Sequence, residues 1–114
     1  NERGLGNIFN FPIEPYCSSE KFLNLWKNNI LEKVKKINPD LIILSSGFDA
    51  HKNDSISTAQ LESHDYRILT KEIVKVSNEI CEGKIISLLE GGYNLNALKE
   101  SVYEHLMELN QNII

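Results

Sequence analysis

Short apolar runs alternate along this chain with longer stretches whose apolar residues recur at helical spacing. Ile8, Phe9, Phe11 and Ile13 predict a first strand ending near Pro12 and Pro15. Ser18-Ser19 then supplies side chains suited to capping a helix start. Phe22, Leu25, Trp26, Ile30, Leu31, Val34 and Ile37 follow at the period of a helix. Asn38-Pro39 ends it, because proline disfavours helical geometry in the residue before it. Leu41-Ile42-Ile43-Leu44 is a continuous apolar run followed by Ser45-Ser46-Gly47, the pattern of a strand buried on both faces. A polar loop runs from Phe48 to about Glu62. Ser63 can cap a second helix carrying Tyr66, Leu69, Ile73, Val76 and Ile80, and Gly83 supplies its left-handed stop. Ile85-Ile86-Ser87-Leu88-Leu89 predicts a third strand, ended by Glu90-Gly91-Gly92. Asn94 can cap a third helix, with Leu95, Leu98, Val102, Leu106 and Leu109 on one face.

Three strands alternating with three helices imply an α/β fold, an open parallel sheet with flanking helices. In such a sheet the loops after the second and third strands share the carboxyl edge, where ligands bind. Asp49 and Gly91-Gly92-Tyr93 are therefore expected to be neighbours in space despite their separation along the chain.

The chain has 114 residues, the size of one domain or a piece of one. It is 41% hydrophobic and 25% charged, which excludes a disordered or collagen-like chain. No apolar run approaches the ~20 residues of a membrane helix, and no signal peptide opens the sequence. The net charge of −4 argues against a surface built to grip nucleic acid. Cys17 and Cys81 form no metal-binding spacing; Cys81 reads as a buried thiol and Cys17 as an incidental free one. A start at Asn1, with glycines at once, reads as a fragment of a larger domain.

Asp49 stands just past a buried strand, where a carboxylate can bind a metal, act as a base or cap a turn. Asp49 and His51 form a D-x-H triplet that could face one metal, though His51 reads equally as a solvated loop residue. Asp54 reads as a loop-fixing residue, His64 as a surface residue, and His105 as a surface or packed one. Gly91 and Gly92 allow close approach of a ligand to backbone. The helix after them could also hold an anion, but the phosphate-loop spacings are missing. Tyr93 presents a phenol at the sheet edge, either an oxyanion donor or a packed aromatic.

Three stretches carry a resemblance. They are Pro39 to His51, ending in Gly47-Phe48-Asp49-Ala50-His51; Asp65-Tyr66 with Leu69-Thr70; and Ser87 to Leu95, containing Leu89-Glu90-Gly91-Gly92-Tyr93-Asn94. Together they resemble the C-terminal part of the zinc-dependent histone deacetylase family, the class II branch in particular. The resemblance covers nearly the whole chain, residues 1–114, and implies an incomplete arginase/deacetylase catalytic domain. It implies a Zn²⁺ held by two Asp and one His, with Asp49 matching one of the Asp ligands. Tyr93 matches the tyrosine that donates to the substrate oxyanion, and Gly91 and Gly92 match the glycines lining the acyl-lysine tunnel. It also implies that His51 is not a ligand. The family's other metal ligands and paired catalytic histidines lie upstream of the matching stretches. Ser55-Ile56-Ser57 stands where the family reads Pro-Leu-Gly, and Glu62 where it has threonine.

The resemblance implies hydrolysis of acetyl-lysine in histones or other proteins, with these residues alone inactive. It implies corepressor-type protein partners, no direct nucleic-acid or membrane binding, and a nuclear or cytoplasmic location. An acetylpolyamine amidohydrolase and a degenerate non-catalytic scaffold are the rival readings.

Overall fold

The helix expected after Ser18 is present in the computed structural model, which describes residues 4–111. It runs as α1 (Ser19–Leu25), a π-helical turn (Trp26–Ile30) and α2 (Leu31–Ile37). Ser18 Oγ accepts from the Lys21 amide at 3.3 Å and satisfies one open donor of the first turn. Asn38, in the left-handed region at φ 52°, closes the run before Pro39. There follow β1 (Ile42–Ser46), α3 (Ser63–Ile80), β2 (Ile85–Leu89) and α4 (Leu95–Asn110).

Caps set the ends of the later helices. Glu62, rather than Ser63, is the N-cap of α3, and the Asp65 carboxylate reaches back to accept from the Glu62 amide at 2.8 Å. Gly83, at φ 73°, returns its amide to Ser77 O at 3.0 Å and ends α3 as expected. The Asn94 side chain accepts from the Ala97 amide at 3.0 Å and opens α4.

Among the described residues two strands form where three were expected. β1 and β2 pair in parallel, from Ile42 opposite Ile85 to Ser46 opposite Leu89. Residues 8–14 are irregular; Phe9 lies beside α2, with Lys33 Nζ 4.5 Å above its ring, and Ile13 lies near Lys21 and Leu25 of α1. A strand persists by ladder bonds to a neighbour, and Pro12 and Pro15 offer no N–H for one.

The helices cover one face of this sheet. Leu31, Ile42, Ile73, Val76 and Cys81 form one buried cluster, with Trp26, Val34 and Leu44 against it. Phe48, Leu61 and Tyr66 form a second, joined by Phe22, Leu69, Leu98 and Val102. Burial of one such side chain contributes about 1.5–3 kcal/mol. Trp26 Nε1 donates to Leu69 O at 3.1 Å and ties the π-helical turn to α3. The apolar run of β1 predicts burial on both faces, but the opposite face presents Ile43, Ile86 and Leu88, each about half exposed. Both cysteines are free thiols and both are buried, Cys17 included.

The apolar stripe on α4 is only partly the packed one. Leu98 and Val102 join the second cluster, whereas Leu95 and Leu106 are exposed. The buried stripe is Ala97, Ser101, His105 and Glu108. The small Ala97 and Ser101 side chains sit on this buried stripe, where α4 packs on α3. Arg67 on α3 reaches Glu108 at 3.0 Å and Glu104 at 3.5 Å.

Candidate active site at the carboxyl edge of the sheet

Parallel pairing of β1 and β2 carries both following loops to one edge. The ladder continues past the strands: Glu90 N donates to Ser46 O at 3.0 Å, and Phe48 N donates to Gly91 O at 2.8 Å. These bonds bring Asp49 against Gly91. A Cβ built on Gly91 would stand 2.8 Å from Asp49 Oδ2, and one on Gly47 would stand 3.1 Å from Asp49 Oδ1. The half-buried carboxylate therefore lies against two backbone surfaces that carry no side chain.

Gly92 has a positive φ of 139°, and a Cβ there would meet Leu98 Cδ1 at 2.7 Å and Phe48 Cβ at 3.2 Å. Geometry and space both require glycine. Tyr93, the residue after this turn, is 61% exposed. Of the expected neighbours, Gly91 lies against Asp49 and Gly92 against Phe48, and Tyr93 follows them along the chain.

The loop between β1 and α3 is folded onto the body rather than solvated. Leu61 N donates to Ala50 O at 3.1 Å and Lys52 N to Leu61 O at 2.7 Å. His51 is buried, against the reading of it as a solvated residue. Its Nδ1 accepts from the Asn53 amide at 3.1 Å, and its Nε2 faces Ser63 Oγ at 3.0 Å. Both ring nitrogens are occupied, so His51 is a packing element and the D-x-H pair does not form a metal site. His64 is exposed, as expected.

Asp54 holds more than its own loop. Oδ1 accepts from the Ile56 amide at 2.9 Å, and Oδ2 accepts from the amides of Tyr93 at 2.8 Å and Asn94 at 3.2 Å. These backbone donors, Ile56 first and Tyr93 next, hold the Asp54 carboxyl below the usual carboxylate range. The bond to Ile56 was open to sequence reasoning, since an aspartate often accepts from the amide two residues on. The reach to Tyr93 carries no local signal.

Tyr66, buried in the second cluster, lies close enough to feel this edge. Burial, then the charges of Asp49 and Asp54, push its phenol well above the ordinary tyrosine range. His105 is buried on the covered face of the sheet. Thr70 Oγ1 donates to Tyr66 O at 2.7 Å and so accepts from His105 Nδ1 at 2.6 Å. Nε2 then accepts from Ser87 Oγ at 2.8 Å, and Ser87 meets Ser46 Oγ at 2.7 Å. Burial lowers the pKa of His105, so the neutral ring is favoured.

Among the described residues no three His, Cys, Asp or Glu side chains group as a complete metal site. Asp49 fits the part of one ligand. It is a carboxylate at a strand end, facing glycine backbone, whereas the carboxylates of Asp54 and Asp65 are occupied by amide and hydroxyl donors. A metal held here needs further ligands from outside these residues.

The family model for the histone deacetylase domain matches residues 1–109. Type-2 histone deacetylase 1 of Dictyostelium discoideum is 37% identical over 111 residues, 97% of this chain and 7% of that protein. Type-2 histone deacetylase 2 of the same organism is 41% identical over 107 residues, 91% of this chain and 6% of that protein. Among solved structures, the histone deacetylase Clr3 superposes with a TM-score of 0.73 at 27% identity, over 82% of this chain and 15% of that one. The chain thus spans less than a tenth of the curated relatives named here.

Proposed function

Because this chain belongs to the histone deacetylase family, we propose that it forms the C-terminal segment of a zinc-dependent catalytic domain that hydrolyses acetyl-lysine amides in proteins. The observation that supports the reading is the packing of the Asp49 carboxylate against the Gly91 backbone at one sheet edge, two residues before Tyr93. The α/β frame is that of the arginase/deacetylase fold seen in its structural relatives.

In this reading Asp49 is one ligand of a Zn²⁺ completed by residues outside this chain. The bound metal supplies a Lewis acid for the amide carbonyl and lowers the pKa of water. Gly91 and Gly92 keep the wall of the acyl-lysine channel free of side chains. Tyr93 donates its phenolic proton in a hydrogen bond to the carbonyl oxygen as negative charge develops there. The Asp54 carboxylate and the Asn94 cap fix the backbone from which Tyr93 projects. The 114 residues alone are inactive, because they bring one ligand and neither the remaining ligands nor a general base.

The test is turnover of the complete domain, with an acetyl-lysine peptide compared against acetyl-spermidine. Preference for the peptide supports protein deacetylation. Preference for the polyamine moves the reading to small cationic amides, and turnover of neither makes the domain a scaffold.

A further inference from the structure

Two glycines precede Tyr93, so the chain entering this residue has little intrinsic stiffness. A donor that must meet a developing charge needs a fixed origin. Asp54 supplies one. It is buried at 6% exposure, and Oδ2 takes the amides of Tyr93 and Asn94 while Oδ1 takes that of Ile56. Asp54 is itself anchored, its amide donating to His51 O at 2.9 Å. A second strap lies alongside, with Asn94 Nδ2 donating to Asn53 O at 3.1 Å. One carboxylate, five residues past Asp49 in sequence, thereby links the loop after β1 to the loop after β2.

We infer that Asp54 is a positioning residue for Tyr93, acting through the Tyr93 backbone amide to set where the phenol stands. This rests on the assignment of Tyr93 as the oxyanion donor. Both Asp54 carboxylate oxygens are taken up by backbone amides, so its role is to hold the chain rather than to react. Asparagine is the discriminating replacement because it is nearly the same size. It offers one acceptor atom where Asp54 uses two, and its NH₂ group faces an amide donor on one side.

The experiment compares wild type, Asp54→Asn, Tyr93→Phe and the double variant in the complete domain. The readouts are kcat and KM for an acetyl-lysine peptide, and hydrogen exchange at the Tyr93 and Asn94 amides. Asp54→Asn is expected to lower kcat about ten- to a hundredfold, the scale of a small misplacement of a reacting group. KM stays within about twofold, exchange at the two amides accelerates, and the kcat loss vanishes in the Tyr93→Phe background. A loss that multiplies equally in both backgrounds overturns the inference, because Asp54 would then act independently of the phenol. Unchanged exchange at the two amides overturns it as well. Wild-type turnover in Tyr93→Phe is a different failure. It removes the oxyanion role, and the exchange result alone then decides whether Asp54 holds this backbone.

Discussion

The Asp49 carboxylate occupies the space that a side chain at Gly91 would need, with Oδ2 2.8 Å from the position of a Cβ there. Two loops far apart in the chain are thus fitted to each other at atomic contact. The residue that permits this is one that carries no side chain.

Gly91→Ala is therefore expected to displace the carboxylate, since a Cβ contact under 3.0 Å has to be relieved by movement. In the complete domain, zinc affinity should fall about 10- to 100-fold, as for the loss of a group that orients a metal ligand. Zinc titration against a competing chelator measures it.

Gly92→Ala combines a left-handed φ with a 2.7 Å clash against Leu98. It is expected to cost stability, on the order of 1–3 kcal/mol for the backbone alone. Denaturant unfolding of the complete domain checks this. Truncating Leu98 in the same background should recover the part due to Leu98 and leave the backbone part with the tight Phe48 contact.

Leu61, 1% exposed, is the apolar anchor of the loop that carries Asp49 and Asp54. Leu61→Ala is expected to destabilise by about 2–5 kcal/mol, the range for large-to-small changes in a packed core. The loss should appear first as faster hydrogen exchange at the Lys52 and Leu61 amides, which make the bridge across that loop.

Two groups give opposite ends of a pH profile. The Asp54 carboxyl has its pKa lowered by its amide donors, so its contribution to stability is fully present above the unfolded value near 3.8. It is lost as pH falls through the lower folded value. His105 also has a lowered pKa, here from burial, so the fold binds this proton less readily than the unfolded chain does. Stability is then complete above pH 6.5 and declines as pH falls below it. Unfolding free energy measured from pH 8 to 3 should fall in two steps. His105→Gln should flatten the first and Asp54→Asn the second.

Much of this arrangement is legible along the chain, because local chemistry decides it. Ser18, Asn38, Gly83 and Asn94 mark helix ends through caps that need no distant partner. The runs at Ile42 and Ile85 announce β1 and β2, and alternation with helices places both loops at one edge. What escapes is decided by distant partners. Ile8 to Ile13 has strand composition but no ladder within the described residues, so it stays irregular. His51 looks like a loop histidine, yet Ser63 and the Asn53 amide bury it. Polar His105 and Ser101 take core positions on α4 while Leu95 and Leu106 stay outside, because partners on α3 and β2 satisfy His105. Asp54 is visible as a turn former, while its grip on Tyr93 appears only in three dimensions.

The most direct test is anomalous diffraction at the zinc edge from a crystal of the complete domain. The account predicts a zinc peak ~2.0–2.2 Å from an Asp49 carboxylate oxygen, with the Tyr93 hydroxyl facing the same cavity. A zinc peak elsewhere, or a Tyr93 hydroxyl on a surface away from Asp49, would contradict it.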